Sequence, residues 1–337
     1  MLVMIRTAAA LSSLSSTRAA PSQLIANVRE IANSYDAFLL DQFGVLHDGV
    51  KPLPGAVECF DELARAGKKL IVLSNTSRRR AFAVQKLPKL GFDENSLVEG
   101  GFITSGEAAW ERIKRDLSGS KMLWCSWSKE FQAWDPTYLD GLDVTLASAE
   151  EADFVLCQGS HDLDTGESRV PTGVMETGEP NAALSAALET CLARDLLMIC
   201  ANPDFTVTLP DGTRGFMPGK IAEAYEAMGG RVEYYGKPYA PAFEAAMALL
   251  GDDVDPSRVC HVGDSLLHDV AGANNAGIAS LFIAGGIHAD ELGIEETGSF
   301  SDGSTSSAQT LSPDALERVF AERRARPTYT TPAFVWQ

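Results

Sequence analysis

Polar side chains end three apolar runs of the sequence. Asp41 follows FLL, Ser74 ends LIVLS, and Asp264 comes after VCHVG. Such runs, separated by helical patterns, predict parallel strands whose carboxyl ends meet at one edge of a sheet. A single Asp at a strand end is most often a helix cap, but three polar strand ends at one edge favour a site. Two carboxylates there repel each other unless a cation lies between them, and Mg²⁺ prefers such oxygen ligands.

Lys237 follows a fourth predicted strand, VEYY, and places a fixed positive charge at the same edge. Its ammonium group, the hydroxyl of Ser74 and the amides of the turns would together cradle a phosphoryl group. The residue types therefore predict phosphoryl chemistry at a magnesium site.

The elements that must position these residues alternate between strand and helix. Residues 54–67 form a typical helix pattern, with Pro54 in the first turn and Gly67 at the end, between two apolar runs. This alternation predicts an α/β fold with a parallel sheet. The middle of the chain has apolar runs and a helix of its own. Residues 297–312 read as a Ser/Thr/Gly linker before a last helix over 313–325.

Composition excludes several classes of protein. The chain has 337 residues, 45% of them apolar, and a formal net charge of −18 without a basic stripe, so we expect no nucleic-acid partner. No apolar run is long enough to cross a bilayer. The cysteines show no metal-ligand or CxxC spacing, which predicts buried, reduced thiols. They are Cys59, Cys125, Cys157, Cys191, Cys200 and Cys260.

The first 21 residues contain Arg6, Arg18, several Ser and Thr, and no acidic residue. This composition is typical of an organellar transit peptide and predicts a mitochondrial or plastid location. The alternative is an untargeted, flexible tail on a cytoplasmic protein.

Four motifs, DQFGVL, LSNTS, GKP and GDSLLHD, occur in this order, each at a predicted strand end. Together they resemble the motifs of the haloacid dehalogenase superfamily of phosphotransferases. HDG, ITSGEAA, ANPD and the long segment between the second and third motifs resemble more narrowly the class IIA phosphatases related to NagD and pyridoxal phosphatase. This resemblance implies a Rossmann-like, doubly wound parallel sheet, residues 22–101 and 208–337, with an inserted α/β cap, residues 102–207.

The resemblance also implies a phosphoric monoester hydrolase that acts on a small phosphorylated metabolite through an aspartyl phosphate on Asp41. It further allows a homodimer formed through the cap. Mg²⁺ would be held by Asp41, Asp264 and the backbone carbonyl of Phe43, with Asp269 in the layer behind. The expected phosphate-binding residues are Gln42, Gly44, Ser74, Asn75 and Lys237, and the expected substrate contacts of the cap are Asn202 and Asp204, with His161 and Asp162 as further candidates.

Phe43 departs from the family pattern. Most phosphatases of this superfamily have a second Asp two residues after the nucleophile, which protonates the leaving oxygen and then activates water. Its absence leaves three alternatives open: His47 or Asp48 supplies the proton, the leaving group needs none, or the protein binds a phosphorylated ligand without turnover. A metal-free dehalogenase, which also has an aromatic residue here, is a remote fourth, because such an enzyme has no use for Asp264.

Other residues near these motifs have structural interpretations. We expect His47 to be a protonated partner of Asp48 rather than the substitute acid. Arg78, Arg79 and Arg80 are either phosphate contacts or a solvated start of a helix, and we favour the solvated start because Arg is mostly an exposed residue. The remaining histidines show no ligand spacing and are expected to be structural.

Overall fold

The computed structural model describes residues 21–209, 212–294 and 311–337. The predicted leader, apart from its last residue, and the predicted linker, apart from its last two residues, lie outside these ranges. The strands are β1 Gln23–Leu24, β2 Ala37–Leu40, β3 Lys69–Ser74, β4 Leu97–Thr104, β5 Ser120–Ser126, β6 Val144–Leu146, β7 Phe154–Cys157, β8 Asp162–Asp164, β9 Arg169–Pro171, β10 Leu197–Cys200, β11 Thr206–Thr208, β12 Arg214–Phe216, β13 Arg231–Tyr234, β14 Val259–Gly263, β15 Ala279–Ile283 and β16 Tyr329–Thr331.

The helices lie mostly between successive strands, as the alternation predicts. They are α1 Arg29–Ala32, α2 Ala56–Arg65, α3 Arg80–Ala83, α4 Lys86–Lys89, α5 Ser105–Asp116, α6 Val174–Thr177, α7 Ala182–Ala193, α8 Gly219–Ala227, α9 Ala240–Leu250, α10 Ala271–Ala276 and α11 Pro313–Arg323. Short 3₁₀ turns cover Glu94–Ser96 and Pro256–Arg258, and a π-helical turn covers Leu266–Val270 directly before α10.

The first sheet has the strand order β1-β16-β15-β14-β2-β3-β4 within the described residues, and every neighbouring pair is parallel. Helices cover both faces, so β2 is buried along its whole length. Phe38 and Leu40 pack into the apolar cluster on one face, whereas Ala37 and Leu39 pack into the cluster on the other. The predicted α/β fold with a doubly wound parallel sheet is confirmed.

The second sheet is built from chain between β4 and β14. Among the described residues its order is β13-β10-β7-β5-β8-β9, and β6 pairs with β5. We expected the inserted unit to end at residue 207, but β13 pairs with β10 over four registers, and α8 packs into the same apolar cluster as α7. That boundary is therefore too early. An apolar run predicts a strand but does not indicate which of two sheets the strand joins.

All six cysteines are free and buried, as expected. No helix of the described ranges is both long and apolar enough to span a bilayer.

Candidate active site

The carboxyl ends of β2, β3 and β14 form one edge of the first sheet. Leu40 is the register partner of both Val72 and Val262, and the backbone N–H of Asp41 donates to the carbonyl of Val262 over 2.9 Å. Asp41 and Asp264 are therefore carried by adjacent strands, and β3 ends beside β2 at Ser74.

Lys237 reaches this edge from the chain that follows β13. Its ammonium nitrogen lies 2.7 Å from Oδ1 of Asp41 and 2.7 Å from Oδ1 of Asp269, and its side chain is only 2% exposed. Burial alone would lower the pKa of Lys237, but the carboxylates of Asp269 and Asp41 outweigh burial and raise it. The group therefore stays positively charged at every physiological pH.

Three carboxylates lie around this one ammonium group. Asp41, Asp264 and Asp269 each offer an oxygen, and these oxygens lie within 4.8 Å of one another. Burial raises the pKa of Asp41 to about 7, since the repulsion from Asp269 adds to burial and Lys237 offsets only part of it. Burial and both neighbouring carboxylates raise the pKa of Asp264, whereas Lys237 and His261 outweigh burial and lower that of Asp269. The cluster has more negative than positive charge, which fits a divalent cation.

The main chain approaches Asp264 very closely. A Cβ atom on Gly44 would lie 1.8 Å from Oδ2 of Asp264, and one on Gly286 would lie 2.2 Å from it. The backbone N–H of Ile287 donates to the same oxygen over 2.8 Å. Only glycine fits at these two positions, and the chain at residues 43–44 thereby lies against the carboxylate of Asp264.

His261 lies beneath the carboxylates and was not expected to take part in the site. Its Nε2 is 2.8 Å from Oδ1 of Asp269, and its Nδ1 is 2.9 Å from the carbonyl oxygen of Leu39. The fully buried ring thus fixes Asp269 against β2. A polar residue inside the otherwise apolar run VCHV was the one sequence signal for this role.

Asn75 holds Lys237 by its backbone. The side-chain oxygen of Asn75 accepts the N–H of Lys237 over 2.7 Å, and its Nδ2 donates to the carbonyl of Lys237 over 3.0 Å. The same nitrogen donates to Oδ1 of Asp204 over 2.8 Å. Asn75 therefore joins the second and third motifs to the ANPD loop of the second sheet.

The residues predicted to contact substrate from the cap have different surroundings. Asn202 is buried and accepts the N–H of Asp204 over 2.9 Å, which is ordinary turn chemistry. Asp204 also lies 3.4 Å from Nδ1 of His268, a contact that sequence reasoning missed. Asp162 forms an ion pair with Arg169, whereas Nδ1 of His161 is buried without a hydrogen-bond partner.

Phe43 and His47 pack edge to face, with ring centres 4.8 Å apart. His47 is fully buried, its Nδ1 accepts the N–H of Gly49 over 3.1 Å, and its Nε2 lies 3.4 Å from Oε1 of Gln42. Burial lowers the pKa of His47 to about 4, so the ring is neutral at pH 7. The expectation of a protonated His47 paired with Asp48 is therefore wrong.

Asp48 is exposed and closes a turn. Its Oδ1 accepts the backbone N–H groups of Val50 and Lys51, each over 2.8 Å. Although partial burial would raise the pKa of Asp48, these two hydrogen bonds outweigh it and lower the pKa. Asp48 is consequently ionised at pH 7 and has no proton to give.

The arginines of SRRR are not a uniform solvated helix start. Arg79 pairs with Glu107 over 2.8 Å, and its guanidinium carbon lies 3.5 Å from the ring centre of Trp110. Arg78 is half-buried, and its Nε has no hydrogen-bond partner. Only Arg80 has the exposure that we expected.

Comparison with known proteins supports the resemblance of the motifs. The model for haloacid dehalogenase-like hydrolases matches residues 38–133, and a second model, for HAD-hydrolase-like proteins, matches residues 234–300. Both matched segments are similar to haloacid dehalogenase-like hydrolases, in agreement with the resemblance of the four motifs. The class IIA branch of phosphatases, which the motifs resemble, is supported by the relatives described next.

The chain is 27% identical to chronophin of Mus musculus, over 78% of this chain and 85% of that protein. It is also 27% identical to the glycerol-3-phosphate phosphatase of Gallus gallus, over 85% of this chain and 90% of that protein. Among solved structures, a haloacid dehalogenase-like hydrolase from Brucella suis 1330 is 27% identical, with a TM-score of 0.69, and the match covers 92% of this chain and 100% of that one.

Proposed function

We propose that the protein is a Mg²⁺-dependent phosphatase that hydrolyses a small phosphorylated metabolite through an aspartyl phosphate on Asp41. One observation carries this proposal: a buried ammonium group bridges Asp41 and Asp269, with a third carboxylate, Asp264, in the same cluster. Such a cluster can hold a cation and an anionic phosphoryl group together.

The cation would be held by Asp41, Asp264 and the backbone carbonyl of Phe43, with Asp269 behind them. The excess negative charge of the cluster and the oxygen-only donor set fit Mg²⁺. When bound, this ion supplies positive charge that offsets the charge of the phosphoryl oxygens. The carbonyl of Phe43 is available as a ligand whatever the side chain at that position.

In the first step, the carboxylate of Asp41 attacks phosphorus and the bond from phosphorus to the leaving oxygen breaks. Lys237 donates hydrogen bonds to the phosphoryl oxygens, and the hydroxyl of Ser74 and the turn amides bind the remaining ones. In the second step, water attacks phosphorus, which restores Asp41 and releases inorganic phosphate. Asn75 and Asp269 position Lys237 in both steps.

None of the residues expected near the leaving oxygen can act as its general acid. Phe43 lacks a titratable group, His47 is neutral and buried, and Asp48 is ionised in its turn. A general acid typically contributes about 100- to 10,000-fold in rate. We therefore propose that the natural substrate has a leaving group that needs no proton, such as an acyl or aryl phosphate.

Hydrolysis of p-nitrophenyl phosphate tests the proposal. We expect turnover that requires Mg²⁺, stops with a chelator and falls by about 10⁴-fold or more in Asp41→Asn, which removes the nucleophile. Asp48→Asn is the matched control and should keep its activity within a few-fold. The rival is a binding protein without turnover, for which the same samples would bind inorganic phosphate and release no p-nitrophenol.

We further propose that residues 1–21 direct the protein to the mitochondrion or the plastid. Fusion of residues 1–30 to a fluorescent reporter tests this, and a diffuse cytosolic signal would exclude it. Homodimerisation through the cap remains a prediction, which sedimentation analysis of the purified chain can test.

A further inference from the structure

Arg78 is a cation without an acidic partner next to the candidate active site, and its guanidinium carbon lies 5.6 Å from the ring centre of Phe82. Its Nε is buried and makes no hydrogen bond, and no carboxylate of the described ranges lies in ion-pair distance of its guanidinium group. The charge of Asp135 acts on Arg78, but Asp135 is already engaged. Its Oδ2 accepts the N–H of Arg79 over 2.9 Å, and its Oδ1 accepts two groups of Thr137.

Lys86 adds a second positive charge to the same place. Its ammonium nitrogen donates to the carbonyl of Gly49 and lies 5.7 Å from the ring centre of Phe43. Within the described ranges it, too, forms no ion pair. Burial and the neighbouring charge of Arg78 both lower the pKa of Lys86. Two half-buried cations without acidic partners are unusual in a chain whose net charge is −18.

The two cations lie beside the expected path of the leaving group. Arg78 is four residues after Ser74 on the same loop, and Lys86 lies over Phe43, two residues after Asp41. The second-sheet unit reaches the same place, because a Cβ atom on Gly49 would lie 2.9 Å from the Phe43 ring and 3.4 Å from Oε1 of Gln132. The transferred phosphoryl group already has the ammonium group of Lys237 as its cation, so Arg78 and Lys86 leave positive charge for a second anionic group.

We propose that Arg78 and Lys86 bind an anionic group on the leaving part of the substrate. The substrate is then a phosphoric monoester that carries a second anion, either a carboxylate or another phosphate. This inference rests on the proposed phosphatase function and narrows its substrate class. Arg78 supplies the fork of donors that suits either anion, and Lys86 supplies a point charge.

Matched aryl esters test the proposal, because their leaving groups do not depend on an acid. The esters are 4-carboxyphenyl phosphate, its neutral counterpart 4-carbamoylphenyl phosphate, and benzene-1,4-diyl bisphosphate. We expect the wild type to prefer an anionic ester over the neutral one by about 10- to 100-fold in kcat/KM, the usual range for a hydrogen bond to a charged group. Whether the carboxylate or the bisphosphate is preferred identifies the anion.

Arg78→Gln should remove most of this preference, and Arg78→Lys should restore part of it. Arg80→Gln removes an exposed arginine from the same motif and should leave the preference intact. Equal kcat/KM values for the anionic and neutral esters in the wild type would overturn the proposal. So would an equal loss for all esters in Arg78→Gln, which would assign Arg78 to the transferred phosphate.

Binding to Asp41→Asn separates this proposal from the proposed function. Calorimetric titration of the three esters into this variant, and into Asp41→Asn combined with Arg78→Gln, measures the anion preference without turnover. A preference that depends on Arg78 would support the anion site even if the wild type hydrolysed nothing. Turnover of the esters without a preference for the anionic ones would support the phosphatase function and contradict the proposed anion site.

Discussion

Two neighbouring regions of the site differ in how their charges are balanced. On the phosphoryl side, formed by Asp41, Lys237, Asp264 and Asp269, the buried ammonium group has two carboxylate partners, and the residual charge is negative. On the leaving-group side, formed by Phe43, His47, Arg78 and Lys86, the ring of His47 is neutral and the two cations have no acidic partner in the part of the chain that the structure describes.

This difference indicates a division of labour. The phosphoryl side has its own nucleophile, ammonium group and cation-binding carboxylates, so the protein itself supplies what phosphoryl transfer requires. The leaving-group side has positive charge but no acid, so under our proposal it would select the substrate without protonating it. Changes on the two sides should therefore have different consequences.

Lys237→Met should disrupt the phosphoryl side most severely. Removing the ammonium group leaves the buried carboxylates of Asp41 and Asp269 without a counter-charge, which typically costs about 3–5 kcal/mol in the free energy of unfolding. Activity on p-nitrophenyl phosphate should fall by about 100- to 1,000-fold through loss of charge stabilisation. Urea denaturation and steady-state kinetics measure both, with Lys51→Met as an exposed control. Near-normal activity would contradict the assignment of Lys237.

Phe43→Asp should convert the leaving-group side towards acid catalysis. A carboxyl group there could protonate a poor leaving group, so the rate on an alkyl phosphate relative to p-nitrophenyl phosphate should rise by about 100-fold. Phe43→Asn loses the same ring without gaining an acid and is the matched control. If the ratio of alkyl to aryl rates is the same in both variants, a group other than residue 43 already supplies the proton.

Magnesium should stabilise the folded protein through Asp264. At a free concentration 100 times the Kd, a ligand that binds only the folded state contributes about 2.7 kcal/mol to the free energy of unfolding. Asp264→Asn should lose this increment, measured as the difference between unfolding curves with and without Mg²⁺. An unchanged increment in Asp264→Asn would place the cation elsewhere.

The same increment should depend on pH. In the metal-free protein the pKa of Asp41 is raised to about 7 and that of Asp264 is raised as well. Their contribution to stability is therefore present at low pH and lost as the pH rises towards 7, because burial disfavours the ionised carboxylates and neighbouring carboxylates add repulsion. Mg²⁺ relieves this repulsion, so its stabilising effect should be larger at pH 8 than at pH 5.5. A larger stabilising effect of Mg²⁺ at pH 5.5 than at pH 8 would contradict this prediction.

His47 should change the pH dependence of the free energy of unfolding by a smaller amount, and in the direction opposite to Asp41 and Asp264. Its folded pKa of about 4 lies below the ordinary value of 6.5, so the unfolded chain takes up a proton first as the pH falls. At pH 5.5 this should lower the stability of the wild type, relative to pH 8, by about 1 kcal/mol. His47→Gln should lack this component of the pH dependence in unfolding measured with a chelator present. Parallel pH profiles would mean that His47 is not buried as a neutral ring.

The sequence predicts the phosphoryl side better than the leaving-group side, for physical reasons. Asp41, Ser74 and Asp264 each end an apolar run, and parallel strands necessarily bring such ends to one edge. Lys237 was placed at the same edge because it follows a predicted strand, and the placement is right although that strand, β13, joins the second sheet.

The state of His47 and the exposure of Arg78 could not be obtained in this way. Burial lowers the pKa of His47 and keeps its ring neutral, and this burial is produced by tertiary packing. Arg78 departs from the average tendency of arginine because its side chain is half-buried, near the charge of Asp135 in the second-sheet unit. General tendencies of residue types therefore fail where two units of the chain meet.

Asn75 links the position of Lys237 to that of the second-sheet unit. Its carboxamide forms hydrogen bonds with both the N–H and the carbonyl of Lys237. It also donates a hydrogen bond to Asp204, which belongs to the loop leaving the second sheet. A movement of that unit that displaces Asp204 must strain or break the hydrogen bonds of Asn75. We therefore expect movement of the second-sheet unit, which would admit a substrate, to be coupled to the position of the Lys237 ammonium group.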